Sequence, residues 1–208
     1  MLNKSIIMRQ FGLVPYEDIL SKMHVFTQNR SLNTFDEVWF VEHPCVFTKG
    51  QSCKDEYISC GDIPVIQSDR GGKITYHGPG QQIMYVMLDL KRIKINVREL
   101  VTILENIVMK TLLYFKIKSH LLQNAPGVYV NNNKICSLGL RVHRGCSFHG
   151  LALNVNMDLE PFSRIKPCGY SNLKMTQVNV LNPKISLNDI QSVLIRFFCE
   201  KLDVVLNV

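Results

Sequence analysis

The sequence predicts an α+β fold in which a mostly antiparallel or mixed sheet is flanked by helices. Candidate strands occur in consecutive groups and do not alternate regularly with helices, which is typical of this class. Two long segments carry apolar residues at helical spacing. With 208 residues, 46% of them hydrophobic, the chain can bury one sizeable core, so we expect one domain spanning residues 1–208.

The first half of the chain supplies five predicted strands and one helix. Residues 6–10 form the first strand, and Pro15 begins a helix whose apolar face carries Tyr16, Ile19, Leu20 and Met23. The other four strands are expected over residues 37–41, 64–67, 73–77 and 82–88.

The second half combines two long helices with a group of strands. Residues 97–115 have the longest helical pattern, and strands follow at 127–130, 135–142 and 148–155. Three consecutive asparagines, 131–133, favour a tight turn between the first two of these strands. Ser186 and Asp189 form a capping-box pattern that starts the last helix.

Charge and cysteine usage narrow the class of protein. The net charge of +7 favours acidic partners. The basic residues are spread along the chain without aromatic interleaving, so we expect no nucleic-acid partner. Seven scattered cysteines without a C-x-x-C pair indicate a reducing compartment and no metal site. Without a signal-peptide pattern or a membrane-length apolar run, a cytoplasmic location with no membrane partner is expected.

A glycine-rich stretch over residues 70–86 is the most informative part of the sequence. Four glycines lie within eleven residues, beside Arg70 and His77, and let the backbone approach a ligand closely. The stretch contains neither of the common phosphate-loop patterns. Tight turns that join strands are the alternative interpretation.

The motifs of the chain resemble those of the lipoyl(octanoyl) transferases of lipoate biosynthesis. The similarity covers Arg70-Gly71-Gly72, then 75–81 with Tyr85. A further block is Val41-Glu42-His43-Pro44 with Phe47-Thr48 and Gly50. Another runs from Lys134 through Cys168 and contains Ser137-Leu138-Gly139, 149–156 and Pro167-Cys168-Gly169. It therefore spans most of the chain. The resemblance implies the fold of the biotin and lipoate protein ligases and a single catalytic domain that needs no cofactor.

Cys168 is the candidate nucleophile. Moving an acyl group from a thioester to an amine requires a nucleophile that is also a good leaving group, which a thiolate provides. A free thiol is only a few per cent ionised at pH 7, so it needs a nearby cation or hydrogen-bond donors. Cys168 lies between Pro167 and Gly169, in a predicted loop, and the family's acyl-accepting cysteine falls in this setting.

Lys134 is the candidate partner of Cys168. From position alone, a solvated lysine at a hairpin turn is the favoured interpretation. The resemblance implies a catalytic lysine here, which as an ammonium favours the thiolate or, with a lowered pKa, accepts the proton of the attacking amine.

The histidines and the remaining motif residues are the candidate substrate site. His149 is an alternative base for Cys168, since imidazole titrates near neutrality, whereas the resemblance implies that His77 and His149 line the pocket. Candidate donors to an oxyanion are backbone N–H groups of Gly139, Leu151 or Ala152, or of Gly71 and Gly72. The predicted substrate-binding set is Arg70, Gly71, Gly72, Lys73, Ile74, Thr75, Tyr76, His77, Ser137, Leu138, Gly139, His149, Gly150, Leu151 and Ala152. The motifs suggest Tyr76, Leu138 and Leu151 for the acyl slot.

The resemblance implies transfer of octanoyl from octanoyl-acyl carrier protein to Cys168, and then to a lysine of a lipoyl domain. The implied acceptors are the lipoyl domains of 2-oxoacid dehydrogenase complexes and the glycine cleavage H protein. Three alternatives remain open: an ATP-dependent lipoate-protein ligase, a Cys/His thioesterase or amidase, and a module that binds carrier proteins without catalysis.

Overall fold

An eight-stranded mixed sheet forms the centre of the structure, a computed structural model that describes residues 5–53, 61–123, 125–165 and 173–207. The strands are β1 Ser5–Leu13, β2 Asp36–Glu42, β3 Val46–Lys49, β4 Val65–Gln67, β5 Ile74–His77, β6 Gln81–Met87, β7 His120–Leu122, β8 Ala125–Val130, β9 Asn133–His143, β10 Cys146–Asn154 and β11 Val205–Asn207. The helices are α1 Tyr16–Gln28, α2 Val97–Tyr114, α3 Val178–Leu181 and α4 Leu187–Leu202, with a 3₁₀ helix over Glu160–Arg164.

The large sheet has the strand order β11-β1-β2-β6-β10-β9-β8-β7. β1 runs parallel to both β11 and β2, and the other neighbouring strands are antiparallel. A separate three-stranded sheet has the order β4-β3-β5. The predicted α+β class with a mixed sheet flanked by helices is therefore confirmed.

Both faces of the large sheet are covered. The larger apolar cluster joins the sheet to α2 and α4, and includes Leu104, Val108, Leu194 and Phe198. On the other face, Ile19 and Met23 of α1 pack with Trp39 and Tyr85. A third cluster, described below, lies beside the small sheet.

Local sequence signals account for the starts of helices α2 and α4. Asn96 caps α2 in a capping box with Glu99, and the predicted Ser186 and Asp189 box caps α4. Residues Asn131 and Asn132 adopt φ values of 47° and 65°, which asparagine tolerates well, and form the predicted turn between β8 and β9.

No helix in the described part of the chain has the length and apolar character to cross a membrane.

Five short elements were not predicted. They are the strands β3, β7 and β11, helix α3 and the 3₁₀ helix. Each has only three to five residues, which is too few for a periodic pattern to be distinguished. β3 matters most for the site, because it is the central strand of the small sheet.

Candidate active site

A cleft opens where the small sheet meets the large one. Loop 70–73 and β5 form one wall, and β9 and β10 form the other. β6 and the first residue of α1 complete the lining. The cleft is lined by Tyr16, Arg70, Gly72, Lys73, Ile74, Thr75, His77, Ile83, Tyr85, Ser137, Leu138, Gly139, His149, Gly150, Leu151 and Ala152.

The structure brings the predicted substrate-binding residues together, although they come from three separate parts of the chain. All of them except Gly71 and Tyr76 line the cleft. β9 and β10 contribute because they pair in antiparallel register, which sets Leu151 against Leu138 and Gly150 against Gly139. Tyr16 and Ile83 also line the cleft and were not predicted.

Tyr76 is a correction to the expected acyl slot. Its side chain is 1% exposed and lies in the third apolar cluster, with Phe47 and Phe162 at ring distances of 5.5 and 5.4 Å. Its hydroxyl lies 3.1 Å from the sulfur of Cys45. The other three residues of β5, Ile74, Thr75 and His77, line the cleft instead.

Gly71 is a second correction, because its N–H is already used. It donates to the carbonyl of Leu140 at 3.0 Å and is therefore not a spare oxyanion donor. The approach of the two backbones explains the glycines here. A Cβ on Gly139 would lie 3.0 Å from the carbonyl oxygen of Gly71, tighter than ordinary van der Waals contact.

Arg70 holds loop 70–72 against β3. Its guanidinium donates to the carbonyl of Thr48 at 2.6 Å, to the Thr48 hydroxyl at 3.0 and 3.1 Å, and to the carbonyl of Gly71 at 2.9 Å. Arg70 is 8% exposed, so its charge acts on the buried cleft. Because these bonds fix the loop, Arg70 shapes the wall as well as charging it.

A chain of buried hydrogen bonds runs from Arg70 to Thr176. The Thr48 hydroxyl lies 3.2 Å from Nε2 of His77, and Nδ1 of His77 lies 2.7 Å from Oε1 of Gln81. Gln81 donates to Oδ1 of Asn154 at 2.9 Å, and Asn154 donates to the carbonyl of Thr176 at 3.0 Å. We call this series the Arg70–Thr176 relay.

The ends of the relay decide the protonation of His77. Arginine only donates and a carbonyl only accepts, so every bond between them has one direction. His77 therefore donates from Nδ1 and accepts at Nε2, which makes it neutral with both nitrogens occupied. Burial, together with the nearby His43 and Arg70, holds its pKa well below the usual value. His77 is thus a positioning group in this arrangement.

A second polar group joins His149 to the surface. Nε2 of His149 lies 2.8 Å from one oxygen of Asp69, and Nε2 of His24 lies 3.1 Å from the other. Burial alone raises the pKa of Asp69, but its bonds and charge interactions with the two histidines outweigh this and lower it to about 2. Asp69 was not predicted, although it directly precedes the Arg70-Gly71-Gly72 motif.

Lys134 is buried and is not a solvated hairpin lysine. Its side chain is among the largest that are fully buried, and its Nζ lies 5.6 Å from the ring centroid of Tyr129. Lys134 precedes the cleft-lining segment 137–139 on β9. Its backbone N–H donates to the carbonyl of Lys174 at 2.9 Å, and its carbonyl accepts from Thr176 at 2.9 Å. The Arg70–Thr176 relay therefore ends beside Lys134.

Cys168 lies outside the described residues. The described chain before it ends at Ile165, which packs in the third apolar cluster with Ile74. After it, the chain resumes with the residues that bond the backbone of Lys134. Five other cysteines, at 45, 53, 136, 146 and 199, are free thiols.

Tyr85 supports the cleft through a buried histidine. The hydroxyl of Tyr85 lies 2.8 Å from Nε2 of His43, and Nδ1 of His43 lies 2.6 Å from the carbonyl of Val14. Since the carbonyl accepts, Nδ1 carries the hydrogen and Tyr85 donates to Nε2. Burial lowers the pKa of His43 to about 4.

In the described ranges, no three His, Cys, Asp or Glu side chains are grouped to share a metal ion.

Residues 15–199 match the family model of the lipoyl protein ligase A/B catalytic domain. An octanoyltransferase of Photorhabdus laumondii is 59% identical over 206 residues, which are 99% of this chain and 97% of that protein. An octanoyltransferase of Yersinia pseudotuberculosis serotype O:1b is 62% identical over 198 residues, 95% of this chain and 85% of that protein.

Solved structures share the fold at low sequence identity. A crystal structure of lipoate-protein ligase A bound with ATP has a TM-score of 0.81 and 15% identity, covering 98% of this chain and 87% of the ligase. A biotin protein ligase from Aquifex aeolicus in complex with biotin and ATP has a TM-score of 0.58 and 13% identity, covering 95% and 70%. The expected biotin and lipoate ligase fold is therefore confirmed.

Proposed function

The chain belongs to the lipoyl protein ligase A/B catalytic domain family and is an acyltransferase, and on this premise we propose that it carries octanoyl groups from octanoyl-acyl carrier protein to lipoyl-domain lysines. The catalytic domain comprises residues 1–208. The transfer proceeds through a thioester on Cys168 and forms the first step of lipoate synthesis on proteins. The scattered single cysteines fit a reducing compartment, which is why we propose the cytoplasm.

The buried position of Lys134 carries this proposal most directly. A lysine is rarely fully buried, because removing an ammonium from water is costly unless nearby groups compensate. The ring of Tyr129 faces the ammonium, and two backbone hydrogen bonds hold the main chain of Lys134 against residues 174–176. A rigidly held cation of this kind supplies what a thiolate needs.

Chain length allows Cys168 to meet Lys134. Cys168 is six residues before Lys174 in the sequence, and the Lys174 carbonyl is bonded to the N–H of Lys134. At roughly 3.3–3.6 Å per residue, six residues reach at most about 20 Å. The distance from Lys174 to the Nζ of Lys134 is well within that reach, since both belong to directly bonded segments.

The cleft supplies an apolar surface for the acyl chain. Ile83, Leu138, Leu151 and Ala152 line it, while Tyr76 does not. Burial of a methylene group contributes roughly 0.8 kcal/mol, so about seven carbons contribute up to roughly 5 kcal/mol of recognition. These side chains therefore offer an octanoyl chain an apolar surface for recognition.

The reaction has two half-reactions. The thiolate of Cys168 first attacks the thioester of octanoyl-acyl carrier protein, and the carrier leaves with a free thiol. This step exchanges one thioester for another and is nearly balanced in free energy. A lysine amine of a lipoyl domain then attacks the acyl-enzyme, and the amide product makes the second step downhill. The acceptors are the lipoyl domains of 2-oxoacid dehydrogenase complexes and the glycine cleavage H protein.

Intact-mass spectrometry tests the acyl-enzyme. The protein is mixed with octanoyl-acyl carrier protein without ATP, and a lipoyl domain is then added. We expect an octanoyl adduct that hydroxylamine removes and that moves to the lipoyl-domain lysine. Cys168→Ser should form no such thioester, whereas Cys45→Ser, which changes an exposed cysteine, should behave like the wild type.

Other outcomes identify other functions. If acylation of the lipoyl domain required ATP and free octanoate, the chain would be a ligase. If the adduct formed but passed to water with release of octanoate, it would be a thioesterase. If the carrier protein bound without forming any adduct, the protein would be a binding module.

A further inference from the structure

His149 has one nitrogen that no described residue uses. Its side chain lines the cleft and is 1% exposed, and the ring contacts those of Phe148 and Tyr85 at centroid distances of 5.0 and 6.0 Å. Its backbone has a φ of 59°, which is uncommon for a residue other than glycine. Nδ1 is buried and has no hydrogen-bond partner among the residues that the structure describes. A buried nitrogen without a partner is costly in a native protein and calls for an explanation.

Asp69 determines what that nitrogen can do. The carboxylate accepts a hydrogen bond from Nε2 at 2.8 Å, so the hydrogen of the neutral ring is on Nε2. Nδ1 then carries a lone pair and can accept a hydrogen bond or a proton. Burial lowers the pKa of His149, although Asp69 partly offsets this, so the ring is neutral near pH 7. The result is a base with a fixed tautomer on the wall of the cleft.

We propose that Nδ1 of His149 accepts the proton of the attacking lysine amine in the second half-reaction, with Asp69 as the positioning residue that fixes the tautomer. This inference rests on the proposed function. It separates two roles that the sequence left combined. Lys134 serves the thiolate of Cys168 during acylation, and His149 serves the amine during transfer.

The atoms of this step balance. The neutral amine carries two hydrogens, and the amide that it forms keeps one of them. A bond forms between the amine nitrogen and the acyl carbon, and the bond from that carbon to the Cys168 sulfur breaks. The sulfur leaves with the electron pair as a thiolate, and the second hydrogen of the amine passes as a proton to Nδ1 of His149.

The surroundings of His149 stabilise the imidazolium that this step forms. Asp69 stabilises the charged ring, as a carboxylate does in a catalytic triad. The other oxygen of Asp69 lies 3.1 Å from His24, whose side chain is 40% exposed, so the group extends to solvent. Among the residues that the structure describes, Arg70 and His77 are the other charged or titratable groups that act on the ring, and the Tyr85 ring lies against one side. Asp69 therefore stabilises the charged ring through Nε2, while the transferred proton is held on Nδ1.

Separate measurement of the two half-reactions tests this assignment. The acyl-enzyme is formed with octanoyl-acyl carrier protein, isolated, and mixed with a lipoyl domain, and the amide is followed by intact mass. His149→Ala and Asp69→Asn should slow formation of the acyl-enzyme much less than they slow transfer. Their transfer rates should fall by about 10²-fold or more, the usual scale of general-base catalysis. His143→Gln, an exposed histidine at the end of β9, is the matched control and should change neither rate.

The pH dependence gives a reading that loss of structure would not reproduce. With His149 as the base, the logarithm of the transfer rate rises with a slope of two below the pKa of His149 and a slope of one above it, up to the amine pKa near 10.4. His149→Ala should give a slope of one throughout. In Asp69→Asn the break should move to lower pH, because the carboxylate that raises the pKa of His149 is gone.

Two results would overturn the proposal. If His149→Ala slowed acylation as much as transfer, His149 would serve Cys168 or the fold. If transfer kept its rate and its two slopes, the base would be another group. Failure of the proposed function looks different, because the wild-type protein would then form no acyl-enzyme or would release octanoate to water without acylating the lipoyl domain.

Discussion

Replacing Gly127 by alanine tests whether close packing holds Lys134 in place. Gly127 lies on β8 with a φ of 130°, a conformation that other residues rarely adopt. An added Cβ would lie 2.4 Å from Cε of Lys134 and 2.6 Å from the carbonyl oxygen of Cys136. The strained backbone costs about 1–3 kcal/mol, and the overpacking costs about 1–3 kcal/mol more. We expect Gly127→Ala to lower the free energy of unfolding by about 2–6 kcal/mol.

Gly12→Ala is the control for backbone strain alone. Gly12 has a φ of 66°, and a Cβ there would meet no heavy atom within 4 Å. The left-handed conformation costs about 1–2 kcal/mol for an L-residue. Urea unfolding should therefore show a larger loss for Gly127→Ala than for Gly12→Ala. At a temperature where both variants remain folded, only Gly127→Ala should slow formation of the acyl-enzyme, because it displaces the Lys134 side chain. Equal stability and equal acylation in the two variants would refute the packing argument.

Three further predictions concern charge and the buried relay. Lys134→Met keeps the length of the buried side chain but removes the ammonium. If the pKa of Cys168 then returns to about 8.5, the acylation rate at pH 7 should fall by up to about 30-fold and recover towards pH 9.5. A loss of rate that raising the pH does not reverse would argue for a different role of Lys134. Asn154→Ala should lower the free energy of unfolding in urea by about 1–3 kcal/mol, because it removes the partners of the Gln81 side-chain N–H and the Thr176 carbonyl. It should also slow acylation. An unchanged unfolding midpoint would contradict the predicted loss of stability. Because the pKa of His43 falls from 6.5 to about 4 on folding, the unfolded chain binds more protons in that range, so stability should drop by about 3 kcal/mol as the pH falls from 6.5 to 4. His43→Asn should show a shallower loss over the same range.

The sequence predicted the elements whose periodicity extends over several turns or residue pairs. Helix α2 agrees with its expected range to within a residue at both ends. Helix α4 begins within a residue of its expected start, and no end was predicted for it. The strands β9 and β10 and the turn between β8 and β9 were likewise expected. The missed strands have three or four residues, and their identity depends on the partner they pair with. Pairing across long sequence separations has no local signal, so the strand order and the separate small sheet came only from the structure.

For the site, the sequence by itself determined which residue types are present and grouped them through motifs. Nearly all of the motif residues predicted to bind substrate do line one cleft. Where each side chain points was decided by the tertiary structure. Packing against Phe47 and Phe162 buries Tyr76 away from the cleft. The approach of β9 to loop 70–72 occupies the N–H of Gly71.

Asp69 and Asn154 show the reason for this division. Asp69 meets His149 across 80 residues of sequence, and Asn154 meets Gln81 across 73. A hydrogen bond depends on distances of a few tenths of an ångström between atoms that only the folded chain brings together. The chemical identity of each side chain can therefore be read from the sequence, whereas its protonation state, its tautomer and its burial depend on the whole fold. Lys134 needed both, since its position came from a motif and its burial from the packing around it.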